Sequence, residues 1–266
     1  MFSPTRRSAI AGASAFALTS PYLAAADSQD FDAVVLDVRQ RLTDFHTSLR
    51  FTEVEAAPIV TGLPDFNDGL QFDEGGVLAG FGQFVIQPAA RADDASEKDR
   101  KGVLPMFHIF SVKGFEDDGP DLTILRYSEV LFDLFRLDRN RIAFVSVPNF
   151  KSFQPYLEQN DLWHQERVTF RDEAEAKAAG DGSGYFRLPN SEAGMYTAGL
   201  YYALSDAPGP AGNSEDWLEI GELVTDPSGY ADYSFGLERV AMATSGIVPT
   251  WESRLSVLQD QITRDT

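Results

Sequence analysis

Phe31, Val35, Val38, Leu42, Phe45 and Leu49 recur three or four residues apart, with polar residues between them. That spacing predicts an amphipathic helix over residues 30–50. Residues 51–70 carry Pro58, Gly62, Pro64 and Gly69 and read as extended chain with turns. Residues 75–86 are glycine-rich and apolar, which predicts strand pieces or a tight loop. An extended run ending at 89–94, a charged loop over 95–101 and an apolar run over 103–112 predict an antiparallel hairpin. Pro120 opens a second helix, with Leu122, Leu125, Val130, Leu131, Leu134 and Phe135 as its apolar positions. Residues 141–147 (Arg-Ile-Ala-Phe-Val-Ser-Val) predict a strand.

Residues 150–184 are polar and helix-leaning, and end in Gly180-Asp181-Gly182-Ser183-Gly184. Residues 185–188, 199–204 and 217–224 predict strands, with a turn over 208–213. Residues 230–243 read as a strand end that passes through Gly236 into a helix. Gly246 closes that helix, with Pro249 beyond it. Trp251, Leu255, Leu258 and Ile262 outline a last amphipathic helix. No internal repeat and no long linker divides the chain. The order predicts one α+β domain over residues 27–266, its antiparallel β-sheet flanked by helices.

Residues 1–26 have a different character. Arg6 and Arg7 precede a small-residue, mildly apolar stretch over 8–19, and Ala24-Ala25-Ala26 stands before Asp27. This pattern predicts a signal peptide of the twin-arginine type, hence an exported or periplasmic protein. The alternative is a disordered alanine-rich leader on a cytoplasmic protein. No run of about twenty apolar residues predicts a stable membrane span.

Composition narrows the chemistry. Hydrophobic residues make up 43% of the 266, including 20 phenylalanines, enough for a substantial aromatic core. The absence of cysteine excludes disulfides, thiolate zinc sites and a cysteine nucleophile. Asp and Glu number 41 against 22 Lys and Arg, a formal charge of −19 that favours solubility and repels polyanions. No basic block offers phosphate contacts to a nucleic acid. No phosphate-loop spacing is present, and His46 and His164 stand apart with no ligand spacing, so no metal site is predicted.

Residues 230–243 concentrate the candidate chemistry. Gly236 allows close approach to the backbone. Arg239, in the first helical turn, has a fork of donors suited to a phosphate or a stacked ring. Asp232 offers a carboxylate to an ammonium group. Together they point to a nucleotide and an amine in one pocket; the alternative is an amphipathic helix with a surface arginine.

Six segments carry a further pattern in order: Gln87-Pro88-Ala89-Ala90-Arg91-Ala92, His108-Ile109-Phe110-Ser111-Val112, Tyr185-Phe186, Leu200-Tyr201-Tyr202, the run from Trp217 to Val224, and Gly236-Leu237-Glu238-Arg239. Over residues 31–250 the chain resembles the catalytic core of class II aminoacyl-tRNA synthetases, closest to the alanyl type. The resemblance implies that Arg91 holds the α-phosphate of ATP, that Phe110 stacks on adenine within an ATP site shared with His108, and that Arg239 and Gly236 lie near the γ-phosphate and adenine. It implies that Asp232 binds the amino group of a small amino acid, alanine in the alanyl type, in a pocket bounded by Val224, Phe186 and Glu219. Arg91 and Arg239 become the catalytic pair, Mg²⁺ the accompanying ion and a homodimer the expected assembly. Val112, Gly199, Gly221 and Glu222 depart from the alanyl pattern, where an acidic residue, a glutamate, a tryptophan and an asparagine are expected. The implied activity is formation of an aminoacyl-adenylate for a carrier protein or small-molecule acceptor, since the acidity disfavours tRNA. An exported non-catalytic binding protein is the alternative, and an alanine–tRNA ligase the third reading.

Overall fold

The computed structural model describes residues 28–59, 81–115, 117–179, 183–187, 194–205, 211, 216–225 and 231–266. The expected leader, residues 60–70 and 75–80 of the 51–70 and 75–86 segments, the Gly180–Gly182 part of the glycine loop and all of the 208–213 turn except Ala211 lie outside the described residues.

The first helix, α1 (Ser28–Ser48), follows the predicted period, and Phe31, Val38 and Leu42 are buried along it. A short β1 (Thr52–Glu53) leads to β2 (Gln83–Ala90), a 3₁₀ segment over Ala92–Glu97 and β3 (Met106–Lys113), the predicted hairpin. Pro88 is tolerated within β2 because β1 pairs only with Gln83 and Phe84, leaving the rest of that edge without a ladder partner among the described strands. Helix α2 (Pro120–Ser128) continues as a π-helical turn over Glu129–Leu134. The stretch expected to be helix-leaning breaks up instead. After β4 (Ile142–Ser146) it gives α3 (Gln154–Gln159), an edge strand β5 (Val168–Phe170) and α4 (Glu173–Ala179).

Next come β6 (Tyr185–Arg187), β7 (Gly194–Ala203), β8 (Trp217–Thr225) and β9 (Ala231–Gly236). Then α5 (Leu237–Ser245) and α6 (Leu255–Asp265) complete the domain. Gly246 ends α5 in the left-handed region at φ 75°, and its N–H donates to Met242 O at 2.8 Å, the predicted C-terminal stop.

The strands form one sheet in the order β1-β2-β3-β9-β8-β7-β4-β5, with β6 also paired to β7. Pairing is antiparallel except at the edges, where β1 meets β2 and β5 meets β4 in parallel. The α+β class with a largely antiparallel, helix-flanked sheet is therefore as the sequence predicts.

Alternation along the strands divides the sheet into two faces. One cross-strand row runs Ile86, Phe110, Phe235, Gly221, Leu200, Phe144. It faces α1 and α2 and carries most of the core. Tyr127 of α2 stacks on Phe235 with centroids 4.9 Å apart. Gly221 leaves room for that ring: a Cβ there would stand 2.5 Å from Ser234 O and 3.1 Å from the Tyr127 hydroxyl. His46 of α1 donates from Nδ1 to Leu42 O at 2.8 Å and accepts from the Tyr233 hydroxyl at Nε2, 2.6 Å away.

The opposite row runs Val85, Ser111, Ser234, Glu222, Gly199, Val145. Between Leu200 and Tyr201 the β7–β8 register slips by one residue. This bulge re-aims one side chain, so Glu219 and Glu222 face the same way despite their odd separation.

Candidate functional site

The site forms where β9 gives way to α5. Pairing between β3 and β9 stops at Ile109 and Gly236, so beyond that point β3 continues to Phe107 paired with β2 alone. Phe107 lies on the same face as Ser111 and Glu222. The first turn of α5 brings Arg239 over that ring, its guanidinium carbon 4.8 Å from the centroid. Arg91, just past the end of β2, reaches the same ring at 5.2 Å. Two cations thus converge on one aromatic ring, an arrangement favoured by the ring quadrupole but opposed by mutual repulsion.

The two arginines are not equally compensated. Arg239 Nη1 lies 3.4 Å from Glu219 Oε2 and donates to Glu219 O at 3.3 Å. The Arg91 side chain makes no ion pair and no hydrogen bond among the described residues, and the Nε of each arginine is buried without a partner. Burial, and then the neighbouring Arg239, push the Arg91 pKa below its ordinary value. A buried donor left unmatched is costly, and an anion or polar ligand would relieve that cost.

Carboxylates line the other side. Glu222 is half-buried, and burial first, then the nearby Glu219 charge, raise its pKa to about 8 despite a hydrogen bond from Thr197 and the attraction of Arg91. At neutral pH it holds a proton. Tyr201 pairs across the bulge with Glu219, and burial together with Glu219 raises its pKa. Gly199 provides the floor. A Cβ there would stand 3.0 Å from Glu219 Oε1 and 3.2 Å from Tyr201 Cε2. The position expected to carry a glutamate is thus overhung by the carboxylate of Glu219.

The residues singled out in the sequence divide in two. Arg91, Arg239 and Glu219 come together. Val224 shares their face and pairs with Asp232 and Thr197. Asp232 is buried on that face too, with Oδ1 accepting from the Gly114 N–H at 3.0 Å. Gly236 has an ordinary φ of −80°, and Arg239 Cδ lies 3.4 Å from where a Cβ would stand, so the group that approaches it closely is Arg239 itself. Phe186 is in β6, but its side chain lies outside the described residues.

Two residues fall elsewhere. Phe110 is not the ring beside Arg239. It is fully buried on the helix-covered face, stacked on Phe84 at 5.1 Å and against His46 at 4.7 Å. Strand alternation is the reason: residues 107 and 110 point to opposite faces. His108 shares the face of Phe110 and is held by Glu238, which accepts from its Nδ1 and its backbone N–H, each at 2.8 Å. Phe107, Thr197, Tyr201 and Glu222 were missed. Parity from Gly236 back through the hairpin offers a signal for Phe107, and alternation from Val224 offers one for Glu222; the bulge that brings Glu219 to the same face leaves none.

No protein-family model matches the chain, and no curated protein matches it. Among solved structures, it is similar to a protein described as an aspartyl-tRNA synthetase from Leishmania major Friedlin, at 11% identity and TM-score 0.37, covering 85% of this chain and 64% of that one. It is also similar to the aspartyl tRNA synthetase from Entamoeba histolytica, at 13% identity and TM-score 0.37, covering 88% and 62%. The chain thus spans less than two thirds of either. Both are described as aspartyl rather than alanyl enzymes, and the site here stands on its own residues.

Proposed function

We propose that the face around Phe107 binds ATP and a small amino acid, as the resemblance to class II synthetase cores implies, and joins them as an aminoacyl-adenylate. The observation that carries this reading is the convergence of Arg91 and Arg239 on Phe107, with Arg91 lacking any charge partner among the described residues. Two half-buried guanidinium groups, each with an unpartnered Nε, match a polyphosphate, and an aromatic ring beside them matches a base.

In the proposed reaction an oxygen of the amino-acid carboxylate bonds to the α-phosphorus, and the bond to the bridging oxygen breaks to release pyrophosphate. Arg91 neutralises charge growing on the α-phosphate, and Arg239 does so on the leaving group. Phe107 takes the stacking role first expected of Phe110. A base between Phe107 and Arg239 needs roughly 7 Å, two van der Waals separations, so Arg239 must leave Glu219 as the ligand enters. Mg²⁺ is part of the resemblance, but among the described residues no three metal-capable side chains group together, so no step is assigned to it. The leader pattern adds export, and the resemblance adds a homodimer and a carrier-protein or small-molecule acceptor.

The closed gap between Arg239 and Phe107 favours a second reading, in which the face binds its ligand without chemistry. Amino-acid-dependent exchange of pyrophosphate into ATP separates the two. Exchange with a small amino acid supports adenylate formation; saturable ATP binding with no exchange across the twenty amino acids leaves the binding protein.

A further inference from the structure

Resting on the reading of the face around Phe107 as a nucleotide site, we infer that Glu238 is a positioning residue for it: through His108 it fixes the first turn of α5 against β3, and so sets where Arg239 stands over the Phe107 ring.

Three observations support this. First, β3 continues beyond Ile109 without β9, yet its next donor on that side is taken, because Glu238 Oε2 accepts from the His108 N–H at 2.8 Å. The carboxylate replaces the ladder acceptor that β9 no longer supplies. Its other oxygen accepts from His108 Nδ1, also at 2.8 Å, and the carboxylate side chain is 1% exposed against 21% for the imidazole. Two charge-assisted bonds held out of water make a stiff link. Second, Gly236 stands at the N-cap of α5 and no side chain caps the helix there, so the first turn is not fixed from its own end. Third, the linked residues are chain neighbours of the two that form the site. His108 follows Phe107, and Glu238 precedes Arg239, whose guanidinium carbon lies 4.8 Å from the ring centroid. Arg91 reaches the same ring by a separate route, since its N–H donates to Pro105 O at 2.9 Å, just ahead of β3.

His108 points to the opposite face of β3 from Phe107, so the pair acts from behind the site. All 8 residues of β3 are paired with β2, which keeps the Phe107 ring in place without Glu238. The rest of α5 is seated by Val240, Ala241 and Met242, all buried. What the link adds is a fixed backbone beneath Arg239. The side chain can then swing off Glu219 and come down on the far face of a bound base while the helix stays where it is. Without the link the first turn is free to shift, and a displacement of about 1 Å in a binding group is enough to cost its contribution.

The test uses the full chain labelled with ¹⁵N and ¹³C at arginine, and ATP as the probe. The Phe107 ring current shifts the Arg239 side-chain resonances, and Phe107→Leu assigns that shift. Glu238→Leu should reduce it and weaken ATP binding by about tenfold in isothermal titration. Glu238→Gln, whose amide can accept from the His108 N–H and donate to the neutral imidazole, should bring the affinity back to within about threefold of the parent. His108→Ala keeps the backbone bond and so should fold; it should reduce the Arg239 shift and weaken binding by about threefold. Action through Arg239 has its own mark: Glu238→Leu should add nothing in an Arg239→Ala chain and keep its full effect in an Arg91→Ala chain. An Arg239 shift unchanged in Glu238→Leu and His108→Ala overturns the inference, as does a loss of affinity as large in the Arg239→Ala chain as in the parent. A parent that binds no ATP overturns the nucleotide reading, and loss of the Arg239 shift in Glu238→Leu then still upholds the positioning; ATP binding with an unmoved Arg239 shift does the reverse.

Discussion

Glu222 holds its proton to about pH 8 because it is desolvated beside Glu219. In the unfolded chain it ionises near its ordinary value of 4.5. Between those values the folded protein binds the extra proton, so stability conferred by a neutral Glu222 is complete below 4.5 and lost as pH rises through 8. Glu222→Gln should therefore raise the melting temperature above pH 8 relative to the parent and leave it almost unchanged near pH 4.5, as thermal scans across that range would show. At this scale the sequence was legible for the arginines. Arg91 and Arg239 lie at an end of β2 and in the first turn of α5, where position alone sets their reach. It misplaced the aromatic ring, because choosing Phe107 over Phe110 requires the register against β9. Glu222 follows from Val224 by strand alternation, but that Glu219 joins them on one face is out of reach, since a one-residue bulge decides it.

Among the elements, α1 was the most legible, because an apolar period kept over five turns has no competing reading. What it does with His46 was not. Burial lowers the His46 pKa to about 4, so the neutral ring bridges Leu42 O and the Tyr233 hydroxyl. The unfolded chain takes up that proton at about 6.5. Stability tied to His46 is present above that value and is lost as pH falls toward 4. Denaturant midpoints should decline over that interval, and the decline should be shallower in a His46→Phe chain. The helix-covered face makes a second prediction. At Gly221 an added Cβ meets the β9 backbone and the rings of Tyr127 and Phe235. Gly221→Ala should cost about 1–3 kcal/mol in denaturant unfolding. By contrast, residues 150–184 were poorly legible, since α3, β5 and α4 are each too short to hold a period.

The whole molecule is a sheet with two unlike faces. One is sealed by α1 and α2 over an aromatic core; the other gathers two arginines, two glutamates and a phenylalanine near the β9–α5 junction. The class was legible from the succession of strand and helix patterns, but the crossover order, with β9 between β3 and β8, was not, because long-range pairing leaves no local mark. On the proposed function, this second face binds a nucleotide against Phe107. Isothermal titration with ATP is its most direct measurement, comparing the parent with Phe107→Leu, Arg239→Ala and Phe110→Leu. Saturable binding by the parent is expected, weakened by about tenfold or more in the first two variants. Phe110→Leu should lower stability but keep the affinity. No saturable binding by the parent, or binding lost with Phe110→Leu and kept with Phe107→Leu, would contradict it.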